Sequence, residues 1–350
     1  MLRRSDRPLP KRSTRLVVNR KGLCVCVCVC VCAITSSLTV PYILSKCEYL
    51  QAQSRNVENT LTQPNEVQYS KQVVQDVFVA PGTPQPSLNR FEYMTAGLDD
   101  ILAQKGLIME ISPLSSPLLP RDYAGYRSID VTDRSGLINK YKDHDAVDKN
   151  MIQEPSYIWK GQRYRELVGE ETKFQLIVAA HVLEHVPNLI SFLNDAASIL
   201  ETDGELRLIF PDYRYCFDWS REPSRLADIV AAHVENRTRP TSADVYDYFA
   251  LVHTGGVQND PAKHWGTSER DFLQERVLTP SVEWHDLAMK QTMQSFTAYV
   301  DVHVWRFDSN TFYAYMSFLT KVGLVKLQLT NIVPAQTDNF EIFATFRKLS

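Results

Sequence analysis

The stretch FQLIVAAHVLEHVP, residues 174–187, decides how this chain is read. A continuous apolar run ends abruptly at His181, Glu184 and His185, and Pro187 closes the segment. Runs of this kind are strands buried on both faces of a parallel sheet. Ligands of such sheets bind just outside the carboxyl ends of the strands. Three titratable side chains therefore stand where an α/β protein does its chemistry.

Working outward, segments of the same type recur at regular intervals. GLIMEISP, residues 106–113, holds a first buried strand at 107–111 with Glu110 near its end, after a helix around 94–104. YRSIDVTD, residues 126–133, is a second short strand ending in Asp130. Residues 135–143 read as a helix and 156–159 as a third strand, which makes 174–180 the fourth. A helix at 188–200, the turn ETDG at 201–204 and a strand at 205–210 follow. Strands alternating with helices imply right-handed crossovers and an α/β, doubly wound sheet.

Composition narrows the class. With 44% hydrophobic and 23% charged residues, 350 residues can bury a large core in one big domain or two smaller ones. A net charge of −3 gives no sign of a nucleic-acid surface. Five of the seven cysteines, Cys24, Cys26, Cys28, Cys30 and Cys32, alternate with valine, a spacing that fits neither zinc sites nor a disulfide framework. Cys47 and Cys216 remain, so the body of the chain reads as a protein of a reducing, cytoplasmic compartment.

Three pieces, in order, carry a family resemblance: MEISPLSSPLLP at 109–120, AAHVLEHVPN at 179–188 and ILETDGELRLIFPD at 199–212. Together they resemble a class I S-adenosylmethionine-dependent methyltransferase of the type 11/23 kind. PDYRYCFDW at 211–219 and VHVWRF at 302–307 resemble a bacterial subgroup, and the likeness spans roughly residues 91–348. It implies a mostly parallel, seven-stranded Rossmann-like sheet with a C-terminal antiparallel hairpin. It also implies S-adenosyl-L-methionine as cofactor, lined by Glu110, Ile111, Ser112, Asp130, Ala180 and His181.

Each of these positions has a physical reading. Asp130, at a strand end, can accept paired hydrogen bonds from two ribose hydroxyls, or serve as a turn residue before Thr132 and Asp133. Glu110 offers a negative charge to a cationic sulfonium and amino group, or caps its own loop. The loop after the first strand departs from the family pattern. Ser112-Pro113 stands where glycine lets backbone approach the cofactor, and a Cβ there forces strain at positive φ. Near the adenine position the chain reads Trp159-Lys160-Gly161-Gln162. Lys160 cannot accept the adenine amino hydrogen, whereas Gln162 can through its carbonyl and Trp159 can stack. Where the acceptor must lose a proton, His181 or His185 is a candidate base.

HVLEH also fits the H-x-x-E-H spacing of inverted zinc proteases, with His181 and His185 as ligands and Glu184 as base. That arrangement needs a continuous helix through both histidines. Here His181 ends a strand, and Pro187 excludes the helical region at Val186. No metal is therefore expected, and a zinc hydrolase stands only as an alternative. A degenerate, non-catalytic binding module, suggested by Ser112 and Lys160, is another.

About ninety residues, 212–306, intervene before the sheet resumes, with helices expected at 224–236 and 242–252. Insertions here close over an acceptor, and the aromatic and histidine content (His253, His264, Trp265, Trp284, His285) suits a small-molecule or sugar-like ring. Asp212, Arg214 and His303 are the acceptor-side candidates, with Arg214 alternatively pairing with Asp212 or Asp218. A helix at 309–321 and strands at 323–333 and 340–348 close the domain as a hairpin.

The N-terminal part stands apart. Residues 1–21 are strongly basic with one acid, Asp6, and 22–44 carry no charge. Twenty-three helical residues span about 34 Å, enough for a single-pass anchor with a cytoplasmic N-terminus. A signal peptide fits as well. So does an artefact of the gene assignment, because a two-base TG repeat translates as Cys-Val. A membrane enters the picture only if 22–44 is a true anchor. Residues 45–90 are polar and end in a proline cluster, which reads as a linker to a domain at 91–350.

Overall fold

The strand at 174–180 lies at the centre of a seven-stranded sheet, with the bounds Phe174–Ala180 read from its sequence. The computed structural model describes residues 89–252, 279–336 and 339–348, all within one compact unit, Gln72–Ser350. The segment 1–44, nearly all of the linker, and His253, His264 and Trp265 lie outside the described residues. No described helix is long and apolar enough to cross a membrane.

The strands are β1 (Ile108–Ile111), β2 (Tyr126–Asp130), β3 (Tyr157–Ile158), β4 (Phe174–Ala180), β5 (Leu200–Pro211), β6 (Leu327–Val333) and β7 (Glu341–Lys348). Their order is β3-β2-β1-β4-β5-β7-β6. The first five are parallel, and β7 runs antiparallel to both β5 and β6. The chain is thus a doubly wound, mostly parallel Rossmann-like sheet closed by an antiparallel pair. Its winding reverses between β1 and β4, the kind of switch point where open α/β sheets bind ligands.

The period-2 alternation of β4 explains its continuous apolar run. Ile177 and Ala179 face one helical layer, where α5 (Leu189–Ile199) buries Leu189, Ile190, Phe192, Leu193, Ala196, Ala197 and Ile199. Phe312, Met316 and Leu319 of α9 (Ser309–Lys321) complete that layer. Leu176 and Val178 face the other side, against Tyr93, Met94 and Leu98. Both faces are therefore covered, and each fully buried aliphatic side chain contributes about 1.5–3 kcal/mol. The segment ends as its residues dictate. Pro187 follows an extended Val186 (φ −75°, ψ 125°), and the Asn188 side chain caps α5 by accepting from the Ser191 amide at 3.1 Å.

Three elements differ from expectation. The helix at 94–104 is two, α1 (Arg90–Thr95) and α2 (Leu98–Ala103), because Gly97 adopts φ 68° between them. The turn at 201–204 lies inside β5, as an excursion that shifts the register from Phe174↔Leu200 to Leu176↔Glu205, with Asp203 at φ 64°. The strand expected from 323 begins at Leu327, because Gly323 (φ 75°) ends α9 in a left-handed cap. Between β2 and β4 lie α3 (Arg134–Lys140) and α4 (Tyr164–Val168). The insertion holds α6 (Leu226–Val234) and α7 (Ser242–Leu251), as read from sequence, and a third helix, α8 (Val282–Ser295). Val282, Met289 and Met293 of α8 are exposed, so its sequence carries little amphipathic signal.

Candidate active site

The carboxyl ends of β1, β2 and β4 meet in register. Ile111 pairs with Ile129 on one side and Ala179 on the other, so Ser112, Asp130 and Ala180 form the next row. The Ser112 amide donates to the Ile129 carbonyl at 2.9 Å. Beyond β1 the backbone turns left-handed, with Ser112 at φ 52° and Leu114 at φ 43°. The strain expected of a serine in a glycine's place is present, at a cost of about 1–2 kcal/mol per residue.

Asp130 is buried, and its Oδ1 accepts from the Val131 amide at 2.8 Å. Burial raises its pKa, against that hydrogen bond and the charge of Lys140. Glu110 lies below the loop. Its carboxylate accepts from the amides of Leu118 at 2.8 Å and Leu119 at 3.4 Å, and from Tyr126 Oη at 3.3 Å. Desolvation raises its pKa, with those amides opposing. The loop that follows β1 is thus folded around Glu110. Ile111 packs in the core beneath the rim. After β3, Trp159 Nε1 donates to the Gln162 carbonyl at 2.7 Å, and Gln162 Oε1 accepts from the Lys160 amide at 2.6 Å. Lys160 Nζ reaches the Val131 carbonyl at 3.3 Å, beside Asp130.

At the end of β4 the chain turns sharply. His181 takes φ 54°, and its amide donates to the Ile209 carbonyl at 2.8 Å. Its Nδ1 lies 3.2 Å from Glu184 Oε1 and its Nε2 lies 2.7 Å from Glu341 Oε1. Ionised carboxylates only accept, so a protonated ring donates to both, while Arg90 Nη2 lies 3.2 Å from the same Nε2. Burial alone lowers the pKa of His181, but the two carboxylates outweigh it and raise the value to about 9. Arg90, the first residue of α1, pairs with Glu341 on the same edge.

Leu183–His185 forms a single 3₁₀ turn rather than the long helix an H-x-x-E-H site needs. His185 Nδ1 donates to Asp301 at 2.9 Å, and Asp301 also accepts from Lys140 at 3.1 Å. Burial lowers the pKa of His185, but the hydrogen bond to Asp301 and the charges of Glu184, Asp301 and Asp218 together outweigh it and raise the value. The Glu184 carbonyl accepts from the amides of Val304, at 2.6 Å, and Trp305, at 3.1 Å. Trp305 Nε1 donates to the Val186 carbonyl at 2.6 Å. These bonds clamp the VHVW segment onto the HVLEHVP turn and bring the His303 ring to 4.6 Å from that of His185.

His303 is buried and donates from Nδ1 to Asp218. Asp218 also accepts from Arg221 at 2.6 Å, and Arg221 donates to the His303 carbonyl at 3.0 Å. Arg221 is fully buried. Burial would raise the Asp218 pKa, yet His303 and Arg221 hold it well below the usual carboxylate range. The other acceptor-side candidates take a different path. Asp212 is buried, caps the turn at Tyr213–Tyr215, and pairs with Arg214 at 2.9 and 2.6 Å. Of the pairings open to Arg214, the structure forms the one with Asp212.

The structure therefore joins His181, Glu184, His185 and His303 in one cluster, and sets Ser112, Asp130 and Ala180 in one rim. Sequence reasoning missed Arg90, Asp218, Arg221, Asp301 and Glu341. Glu341 alone left a signal, a lone acid opening an apolar strand.

No known family profile matches the sequence, and no curated protein matches it. Solved structures do show a likeness. One is an S-adenosylmethionine-dependent methyltransferase from Clostridium acetobutylicum, 9% identical, covering 75% of this chain and 94% of that one, with a TM-score of 0.36. Another is the CcbJ methyltransferase from Streptomyces caelestis, 10% identical, covering 76% and 99%, with a TM-score of 0.35. A third is a Rhodobacter sphaeroides protein named for zinc-dependent alcohol dehydrogenases, 12% identical, covering 76% and 92%, with a TM-score of 0.39. Identities near a tenth and scores of this size assign no activity.

Proposed function

We propose that this chain is an S-adenosylmethionine-dependent methyltransferase acting on a small-molecule or sugar-like acceptor. The observation that carries the reading is the rim itself. A buried carboxylate, Asp130, and a left-handed loop backbone at Ser112 stand in one row at the sheet's switch point. These residues fit the cofactor. Asp130 is placed to accept ribose hydroxyls, and only its Oδ1 is engaged by the neighbouring amide among the described residues. Ser112 and Leu114 present backbone where glycine would otherwise be needed.

Bound S-adenosylmethionine supplies an electrophilic methyl group for in-line displacement. The chain's part is to orient donor and acceptor, which can account for about 7–11 kcal/mol of a barrier. Ala180 and His181 close the rim at β4. With its pKa raised to about 9, His181 holds its proton at neutral pH and positions Glu184 and Glu341 rather than acting as a base. His185, half-buried and bonded to Asp301 of the insertion, is the histidine better placed to meet an acceptor, whereas His303 is buried against Asp218. The compartment we favour is the cytoplasm, on the cysteine usage of the body of the chain.

A non-catalytic binding module is favoured by one observation, the engagement of Glu110 by its own loop amides rather than a free carboxylate. Calorimetry with S-adenosylhomocysteine and S-adenosylmethionine separates the possibilities. The methyltransferase reading expects both to bind, and Asp130→Ala to weaken both by about tenfold or more. Binding of neither by the intact protein overturns it.

A further inference from the structure

We infer that Glu184, His185 and His303 form a binding site for one divalent first-row transition ion, distinct from the methyl-donor rim. One ligand atom from each of the three lies within 4.8 Å of the other two. Bonds of about 2 Å to a shared ion place ligand atoms roughly 3.3 Å apart, so small side-chain rotations complete the set.

The hydrogen bonding leaves one ligand atom of each residue for that role. His303 Nδ1 donates to Asp218 and His185 Nδ1 donates to Asp301, which leaves both Nε2 atoms to coordinate. Glu184 Oε1 faces His181, and Glu184 Oε2 is buried without a hydrogen-bond partner among the described residues. A buried carboxylate oxygen of this kind costs several kcal/mol unless something meets it. Metal-binding histidines regularly donate their second N–H to a carboxylate, which fixes tautomer and ring orientation, and both histidines here do so.

The donor set also specifies the ion. Two imidazoles and one carboxylate leave a coordination position open, as in catalytic zinc and non-haem iron(II) centres. Glu184 and His303 are buried, whereas His185 is half-buried, so the open position lies on its flank. The ligand set differs from the H-x-x-E-H reading of the sequence. His181 is tied to Glu184 and Glu341, and His303, 118 positions beyond His185, takes the third place. The site does not depend on methyl-donor binding.

The test strips the full-length protein with a chelator and titrates it with zinc by calorimetry. Any zinc held by the cysteines at 24–32 is common to every variant, so the count of interest is the difference between variants. Wild type is expected to bind one more equivalent than His303→Ala. Glu184→Gln, which keeps the side chain's shape, is expected to bind that equivalent about 100-fold more weakly, and Asp218→Asn about 10–100-fold more weakly. His181→Ala is expected to keep it. Zinc is also expected to raise the melting temperature of wild type and not that of Glu184→Gln, which decides the matter if His303→Ala fails to fold. Equal stoichiometry in wild type, His303→Ala and Glu184→Gln overturns the site. So does loss of the equivalent in His181→Ala with retention in His303→Ala.

Discussion

The rim at the ends of β1, β2 and β4 and the cluster around His181 and His303 lie on the same edge of the sheet, yet they are built in opposite ways. The rim is made of short-range features: a strand end, a left-handed residue, and a carboxylate bonded to the next amide. The cluster is wired across the chain. Glu341 lies 160 positions from His181, Asp301 lies 116 from His185, and Asp218 lies 85 from His303. In the rim, the buried Asp130 carboxylate makes one hydrogen bond among the described residues, from Oδ1 to the Val131 amide. The cluster uses most of its polar groups on each other, and so carries both stability and the pH response.

The largest effect should come from the cluster's buried ion pair. Arg221→Leu leaves Asp218 with His303 as its remaining partner, and removing one member of a buried pair typically costs about 3–5 kcal/mol. Denaturant unfolding should show that loss, whereas a cost below about 1 kcal/mol would mean that the insertion does not depend on the pair. Next comes the rim. Asp130→Ala should lower S-adenosylhomocysteine affinity about tenfold or more while shifting the melting temperature only slightly. A large melting shift with unchanged affinity would reverse the contrast between the two regions.

The pH response should be smaller. The folded pKa of His181, about 9, lies above its ordinary 6.5. The stability from its two carboxylate contacts is therefore fully present below about pH 6.5 and lost as pH rises through about 9. In chelator-containing buffer, the melting temperature should fall across that window, and His181→Gln should flatten the fall by roughly 2–4 °C. An unchanged slope in the variant would place the titration elsewhere. The smallest effect belongs to the loop. Ser112→Gly relieves a left-handed residue at a gain of up to about 1 kcal/mol, partly offset by the added chain entropy of glycine. It should leave cofactor affinity equal or improved, and weaker binding would show that the serine side chain itself contacts the ligand.

The same contrast explains what the sequence made legible. The bounds of β4 and the end of β2 at Asp130 follow from local pattern and spacing, whereas the left-handed strain at Ser112 was implied by the family resemblance, which sets glycine there. The two-faced burial of β4 was visible because every residue from Leu176 to Ala179 is apolar. The break at Gly97 and the excursion within β5 were not, since each depends on what packs beside it. The cluster was half legible. His181, Glu184, His185 and His303 stood out singly, but nothing in their spacing tied His303 to the HVLEHVP turn. That link is made by backbone bonds from Val304 and Trp305 to the Glu184 carbonyl. Arg90, Asp218, Arg221 and Asp301 resemble any surface charge until the fold buries or pairs them.

The central claim, a methyl-donor pocket on the rim, is tested most directly by amide hydrogen exchange of the intact protein with and without S-adenosylhomocysteine. The account predicts slowed exchange confined to the segments that form the rim, around 111–118, 130–132 and 180–183. Unchanged exchange in those segments at saturating ligand, or protection appearing only elsewhere in the chain, would contradict it.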